Sequence, residues 1–254
     1  MFLDEMKWPE IDNLRREDIL VVCCISALEQ HGRHLPMGTD YFIGSELLRG
    51  LEKKMPAQLL CLPVIWFGAS DHHMSFAGTI SASTQTMLRI LRDIASSVRQ
   101  HGFRKILFLN SHGGNRALLG CSIQELGHEF PDLLIVGATY WEVAKEGIEK
   151  LRTTEFGGMG HACELETSIM IATHGELVDM SSARRDGIMP KSRFSRGEML
   201  SPPSVAIFRS LSVLSSSGVV GDPIYANAQI GNQMLDVINT SLTSLCQDIL
   251  TGQI

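Results

Sequence analysis

A run of apolar residues near the amino terminus constrains the fold of this chain more than any other feature. Residues 19–27 read Ile-Leu-Val-Val-Cys-Cys-Ile-Ser-Ala, and no charge interrupts them. A continuous apolar run of this length is typical of a β-strand that is covered on both faces. The run therefore predicts a strand inside a sheet that has helices on both sides.

Predicted strands and helices alternate along the rest of the chain. Further strands are predicted at residues 58–67, 105–109 and 133–139. Helices are predicted at residues 43–54, 84–99, 116–129, about 163–174 and about 226–250, with Ser83 as the cap of the second. This alternation predicts an α/β fold with a mainly parallel sheet between helices. Without an internal repeat or a linker, we expect a single domain over residues 1–254.

The overall composition argues against several classes of function. The formal net charge is −6 and the isoelectric point is near 5.8, whereas non-specific nucleic-acid binding needs a basic surface. No polybasic patch, secretory signal or span of about 20 apolar residues is present. The six cysteines form no C-x-x-C pair, which indicates reduced thiols. We therefore expect a cytoplasmic protein without nucleic-acid or membrane partners.

A first polar cluster follows the apolar run. If the chain stays extended, Glu29 and His31 point to the same side, because strand side chains repeat every two residues. Asp40 follows a turn rich in proline and glycine that could fold it back onto them. Carboxylates and imidazoles suit Zn²⁺, Mn²⁺ or Fe²⁺. The alternative is a polar loop that binds no metal.

A second cluster follows the third predicted strand. His112 is the candidate metal ligand there. Gly113 and Gly114 allow a close backbone approach to a substrate and can supply N–H groups to an oxyanion, and Asn115 is a further candidate for substrate contact. The alternative is a tight turn in which Asn115 caps the next helix.

A third cluster, at residues 160–168, carries one histidine and two glutamates. On a helix, His161 and Glu164 share a face, whereas Glu166 lies about 140° from His161. Glu164 is therefore the better candidate for a shared site, and Glu166 the better supporting partner. The alternative is that both glutamates only interact with the helix dipole.

A fourth patch follows the second predicted strand, where Ser70 and His73 could touch a substrate. We expect at most one of His72 and His73 in the site, since adjacent side chains face differently in regular structure. Ligands of open α/β sheets bind beyond the carboxyl ends of the strands, which is where these clusters fall. The loops at residues 153–160 and 181–203 are candidate walls of the site.

Taken together, these motifs resemble the creatininase (creatinine amidohydrolase) family. The resemblance covers most of the chain and rests on residues 29–32, 35–36, 38–40, 78–80, 112–115, 161–168 and 221–223. It implies a three-layer α/β/α sandwich, a homohexamer and two divalent metal ions per chain. We take Zn²⁺ as the first expectation, with Mn²⁺ or Fe²⁺ as alternatives.

The resemblance also implies a set of metal ligands. Glu29, Asp40 and His112 would hold one metal. His31 and Asp40 would hold the second, so that Asp40 bridges the two.

Two departures from creatininase proper argue against creatinine itself as the substrate. A glutamate that completes the second metal site there is replaced here by Gly114, and we expect Glu164 to substitute for it. A tryptophan in the loop before the His161 position is also absent, since residues 156–160 contain none.

The resemblance implies hydrolysis of a C–N amide bond. In this hypothesis a metal-bridging water attacks the carbonyl, His161 carries the proton to the leaving nitrogen, and Glu166 orients His161. A cyclic amide, a formamide and a small peptide remain open as substrates. The alternative is a catalytically silent hexameric binding protein on the same fold. A nucleotide-binding protein is disfavoured, because no G-x-G-x-x-G or P-loop motif follows a strand.

Overall fold

Four parallel strands form the centre of the fold in the computed structural model, which describes residues 1–254. They are β1 (Leu20–Ile25), β2 (Leu59–Cys61), β3 (Lys105–Asn110) and β4 (Leu134–Thr139). Their order across the sheet is β2-β1-β3-β4, and every pairing is parallel. The prediction of an α/β fold with a mainly parallel sheet is confirmed.

Helices cover both faces of this sheet. They are α1 (Trp8–Asp12), α2 (Thr39–Lys54), α3 (Thr84–Gln100), α4 (Arg116–Glu129), α5 (Tyr140–Val143), α6 (Lys145–Leu151), α7 (Glu164–His174), α8 (Leu211–Leu214) and α9 (Ala228–Thr251). The buried residues of α3 and α4 belong to the core on one face, and those of α2, α7 and α9 to the core on the other. The fold is thus an α/β/α arrangement.

The apolar run at β1 is explained by these two cores. Alternate residues beginning at Leu20 join the core with α2, α7 and α9, and those beginning at Val21 join the core with α3 and α4. Successive strand side chains point to opposite faces, so a strand between two helical layers is apolar at every position. All six residues of β1 are buried.

Two predicted boundaries differ from the structure, one at the start of α2 and one at the end of β2. Helix α2 begins at Thr39 instead of residue 43, so that Asp40 lies in its first turn. Strand β2 ends at Cys61 instead of residue 67, shortly before Pro63, which has no N–H to donate to a ladder. The predicted cap of α3 is confirmed, because Ser83 Oγ accepts a hydrogen bond from the Thr86 N–H at 3.2 Å.

A second sheet, of two strands, is separate from the first and was not predicted. Strand β5 (Met159–His161) pairs antiparallel with β6 (Val220–Gly221). This pairing ties the segment before α7 to the segment before α9. None of the helices has the length and apolar character needed to cross a membrane.

Candidate metal centre

Three buried carboxylates meet at the carboxyl edge of the main sheet. Glu29 follows β1, Asp40 lies in the first turn of α2, and Glu166 lies in the first turn of α7. Their exposed fractions are 0%, 2% and 4%, which is rare for acidic side chains unless they are paired or bind a metal. The topology therefore collects negative charge from distant parts of the chain at one point.

Imidazoles surround these carboxylates, and Asp40 faces two of them with different oxygens. Its Oδ1 lies 3.1 Å from Nε2 of His31, and its Oδ2 lies 3.0 Å from Nδ1 of His112. Glu29 lies close to His112 and His161, with O···N distances of 3.3 and 3.7 Å. The Glu166 carboxylate is 3.9 Å from Nε2 of His31. A carboxylate placed between two imidazoles in this way is suited to bridge two cations.

Several of these carboxylate oxygens have no hydrogen-bond partner although they are buried. They are both oxygens of Glu29 and Oδ2 of Asp40. An unpaired buried carboxylate oxygen is costly in a protein interior. Two ligand atoms that each bind a cation at about 2.0–2.2 Å lie about 3–3.5 Å from each other, which is close to the spacing measured here. The donor set therefore fits divalent metal ions.

The pKa shifts in the cluster also indicate that a cation is favoured there. Burial raises the pKa of Glu29 to about 7 and also raises the pKa of Glu166. Burial opposes the charge of Asp40 and His31 as well, but their ion pair outweighs it. The pKa of Asp40 is held below its usual value, and that of His31 is raised to about 10. A positive charge is thus favoured among these carboxylates, and a bound cation can supply it.

Three groups of side chains place their ligand atoms within 4.8 Å of one another. They are Glu29 with His31 and His161, Glu29 with His72 and His112, and His31 with Asp40 and Glu166. The last group contains Asp40, which also faces His112, together with Glu166.

Gln30, which sequence analysis overlooked, orients two of the histidines. Its Oε1 accepts the Gly32 N–H at 2.9 Å, so its Nε2 is the donor end, and this amino group lies 2.9 Å from Nδ1 of His73 and 3.1 Å from the Gly218 carbonyl. The main-chain carbonyl of Gln30 accepts from Nε2 of His161 at 2.7 Å. These hydrogen bonds assign the ring proton of both His73 and His161 to Nε2. Nδ1 of His161 is then unprotonated and has no hydrogen-bond donor.

The structure does not bring Glu164 to the cluster, which corrects its predicted role as a metal ligand. Its Oε1 accepts the Thr153 N–H at 2.8 Å, and its Oε2 accepts the N–H and hydroxyl of Thr154 at 2.9 and 2.6 Å. With both oxygens engaged by the preceding loop, Glu164 holds that loop in place. Glu166 occupies the position at the cluster instead.

The helical geometry assumed for the third cluster is also wrong. His161 ends β5, and α7 begins only at Glu164, after Ala162 adopts a left-handed φ of 50°. This turn rotates the chain between the strand and the helix, so helical spacing does not relate His161 to either glutamate. Nor does Glu166 orient His161. Its Oε2 accepts the N-cap N–H of Cys163 at 3.2 Å, and the Gln30 carbonyl holds His161 instead.

The structure places the candidates for substrate contact in different surroundings. Gly113 lines the cavity beside the cluster. Ser70 is buried with its Oγ 3.3 Å from Nε2 of His112, so it supports a candidate ligand. Asn115 is a structural residue, because its amide bonds the Ala69 N–H and the Ser26 carbonyl, each at 3.0 Å. Asn115 is also the N-cap residue of α4, as the alternative held, although its side chain makes no capping hydrogen bond.

Both adjacent histidines of the fourth patch border the site, contrary to the prediction of at most one. The short helical turn Asp71–His73 places the two rings 4.3 Å apart and inclined by 67°. His73 lies with its Nε2 3.2 Å from Glu29, and His72 stacks 5.7 Å from the ring of His112. The prediction failed because it assumed regular structure for a tight turn.

A tight backbone approach explains why position 114 carries a glycine. A Cβ at Gly114 would lie 2.2 Å from the Ala69 carbonyl oxygen and 2.5 Å from Nε2 of His112. The glutamate that the family resemblance places at this position therefore does not fit the backbone seen here.

Replacing Gly114 with alanine is expected to destabilise the protein by about 1–3 kcal/mol and to weaken metal binding, because His112 must move. Thermal unfolding and metal titration measure the two effects. Gly113→Ala is the matched control, since a Cβ there meets nothing within 4 Å. Equal melting temperatures for the two variants would contradict this explanation.

A cavity of about 270 Å³ opens beside the cluster, and Glu29, Asp40, His112, His161 and Glu166 are part of its wall. Trp141, which follows β4, also lines it and was not predicted. Its indole N–H is buried without a hydrogen-bond partner. This donor is available to a molecule that enters the cavity.

Comparison with known proteins shows the family of this chain. A family model for creatininase, described as creatinine amidohydrolase, matches residues 4–246. The chain belongs to the creatininase family.

Individual relatives differ in their named activities. The chain is 27% identical to a creatinine amidohydrolase of Pseudomonas putida over 71% of this chain and 74% of that protein. It is 30% identical to a mycofactocin precursor peptide peptidase of Mycobacterium ulcerans over 83% of this chain and 77% of that protein. A solved structure described as "Creatininase Mn" superposes with a TM-score of 0.83 at 22% identity, covering 97% of each chain, and it shows the shared fold.

Proposed function

We propose that this chain is a metal-dependent amidohydrolase that cleaves a C–N amide bond. The observation that carries the proposal is the group of buried carboxylate oxygens of Glu29 and Asp40 that have no hydrogen-bond partner and face imidazole nitrogens. Membership of the creatininase family and the named activities of the two relatives support it.

Two divalent cations per chain fit the arrangement of ligands. One would be held by Glu29, Asp40 and His112, and the other by His31, Asp40 and Glu166, with Asp40 shared. The oxygen and nitrogen donors suit Zn²⁺, Mn²⁺ or Fe²⁺, and we expect Zn²⁺ first. When bound, such cations polarise a carbonyl oxygen and lower the pKa of a water molecule towards ~7.

The residues of the chain would orient the amide and move the proton. The indole N–H of Trp141 is a donor for the substrate. Nδ1 of His161 takes a proton from the attacking water and passes it to the departing nitrogen. The water oxygen bonds to the carbonyl carbon, the C–N bond breaks, and a carboxylic acid and an amine are released.

Elemental analysis of the purified protein, followed by a panel of amides monitored by amine release, tests this proposal. We expect about two equivalents of Zn, Mn or Fe per chain and hydrolysis of at least one class among cyclic amides, formamides and small peptides. A protein that binds no metal and releases no amine would instead support the silent binding protein.

Replacing Gln30 with glutamate is expected to lower kcat by roughly 10- to 100-fold, the usual cost of losing a supporting group around a metal site, because the His73 that it orients contacts Glu29. The change removes the amino group that fixes the tautomer of His73 while keeping the size of the side chain. Steady-state kinetics measure the effect. Gln124→Glu on the exposed face of α4 is the matched control, and an equal loss in both variants would contradict the assignment.

We also propose a cytoplasmic homo-oligomer, a hexamer by family resemblance. All six cysteines are free and five of them are buried, as expected for a reducing compartment. Sedimentation equilibrium tests the oligomer directly.

A further inference from the structure

A second chamber adjoins the cavity at the metal centre. It has a volume of about 250 Å³, and the long loop that precedes α8 forms most of its wall. The two spaces share wall residues, namely His72, Gly197, Pro203, Leu211, Leu214 and Val220. A molecule whose reacting bond lies at the metal centre can therefore extend into this outer chamber.

The wall of the outer chamber is mainly apolar, in contrast to the carboxylates and imidazoles of the inner cavity. Ile188, Met189, Pro190, Val205 and Ile207 contribute to it. Ile188 and Ile207 leave 65% and 54% of their surface exposed. Covering such surface with an apolar group is favourable in water.

One cation in this apolar wall has no partner. Arg209 is half-buried and makes no ion pair or side-chain hydrogen bond within the chain. The nearby carboxylate of Asp186 is occupied by other donors, including Ser217, whose N–H and hydroxyl lie 2.9 and 2.8 Å from Oδ2. A guanidinium remains charged and presents a planar fork that matches a carboxylate.

We propose that the outer chamber binds the amine half of the substrate as an apolar α-amino acid with a free carboxylate. The substrate class is then an N-acyl amino acid or a short peptide with an apolar carboxyl-terminal residue. This inference rests on the proposed amide hydrolysis. An α-amino acid carries its side chain and its carboxylate on the carbon next to the scissile nitrogen, so one chamber beside the metal centre can hold both. Water adds across the C–N bond, and the acyl carboxylate and the free amino acid leave.

The test compares N-acetyl-L-leucine with N-acetyl-L-leucinamide and N-acetylglycine on the metal-loaded protein. We expect kcat/KM for N-acetyl-L-leucine to exceed that for the leucinamide by roughly 10- to 100-fold, the range of one charge-assisted hydrogen-bonded contact. It should exceed that for N-acetylglycine by roughly the same factor, which is about what burial of a leucine side chain contributes. Arg209→Met should abolish the preference over the leucinamide, mainly through KM, and Arg209→Lys should retain part of it. Arg193→Met, which removes an exposed arginine from the same loop, is the control and should keep the full preference.

Calorimetric binding of N-acetyl-L-leucine separates this inference from the proposed function. If no amide is cleaved but the wild type binds this compound at least 10-fold more tightly than Arg209→Met, the chamber assignment holds and the hydrolase proposal fails. If amides are cleaved with no preference for the carboxylate, the chamber assignment is overturned and the hydrolase proposal stands. It is also overturned if Arg209→Met changes only the oligomeric state, which would make this surface a subunit contact.

Discussion

Replacing Asp40 with asparagine is expected to lower metal affinity by more than ~100-fold and to abolish amide hydrolysis. Its two oxygens face His31 and His112 separately, so one substitution affects both proposed cation positions. Loss of a group that only supports a ligand typically costs ~10- to 100-fold, and loss of a bridging ligand must cost more. Metal content after dialysis and the rate of amine release measure the effect.

Asp93→Asn is the matched control for this substitution. Its side chain is 78% exposed on α3, so the same change of charge occurs far from the cluster. This control should retain both metal and activity. An Asp40→Asn protein that is active without metal would contradict the proposed role of this residue.

Removing the metal with a chelator is expected to lower the melting temperature by about 10 °C. A ligand present at about 1,000 times its dissociation constant stabilises the folded state by about 4 kcal/mol, and each kcal/mol shifts the midpoint by about 2–4 °C for a chain of this size. The physical reason is the buried charge of Glu29, Asp40 and Glu166, which His31 and His112 compensate only in part once the cations leave. Differential scanning calorimetry with and without chelator measures the shift.

The Asp40→Asn protein provides the internal comparison for this experiment. It should melt at nearly the same temperature with and without chelator, because it binds little metal to begin with. A shift of equal size in both proteins would mean that the chelator acts elsewhere in the fold.

The main sheet and its helices could be predicted because the sequence pattern reflects burial directly. An apolar run such as β1 is compatible with few structures besides a buried strand, and α4 was predicted with both of its ends at residues 116 and 129. The small sheet of β5 and β6 could not be predicted in the same way. Its strands have three and two residues and lie far apart along the chain. Strands this short show no hydrophobic period.

The candidate site was predictable where residue type alone suggests a metal ligand. Glu29, His31, Asp40 and His112 were selected from short polar motifs, and the fold brings them together. The choice between Glu164 and Glu166 failed because it depended on where a helix begins. The helical spacing was extended back to His161, which lies in β5 before the helix. The left-handed Ala162 between them redirects both glutamates relative to His161, and such a residue has no signature in sequence.

Gln30 and Trp141 were missed for a different reason. Each is recognisable only from what it contacts in the fold. Gln30 is identified by the His73 nitrogen that its amide orients, and Trp141 by the cavity that its indole borders. An amide directly between two candidate ligands was a signal that the sequence contained. Nothing in the sequence distinguished Trp141 from a core tryptophan.

X-ray diffraction from crystals of the metal-loaded protein at the absorption edge of its metal tests the central claim most directly. We expect two anomalous peaks on either side of the Asp40 carboxylate, one within about 2.5 Å of His112 and one within about 2.5 Å of His31 and Glu166. The absence of any peak beside Asp40, with the metal bound elsewhere on the chain, would contradict the assignment of this site.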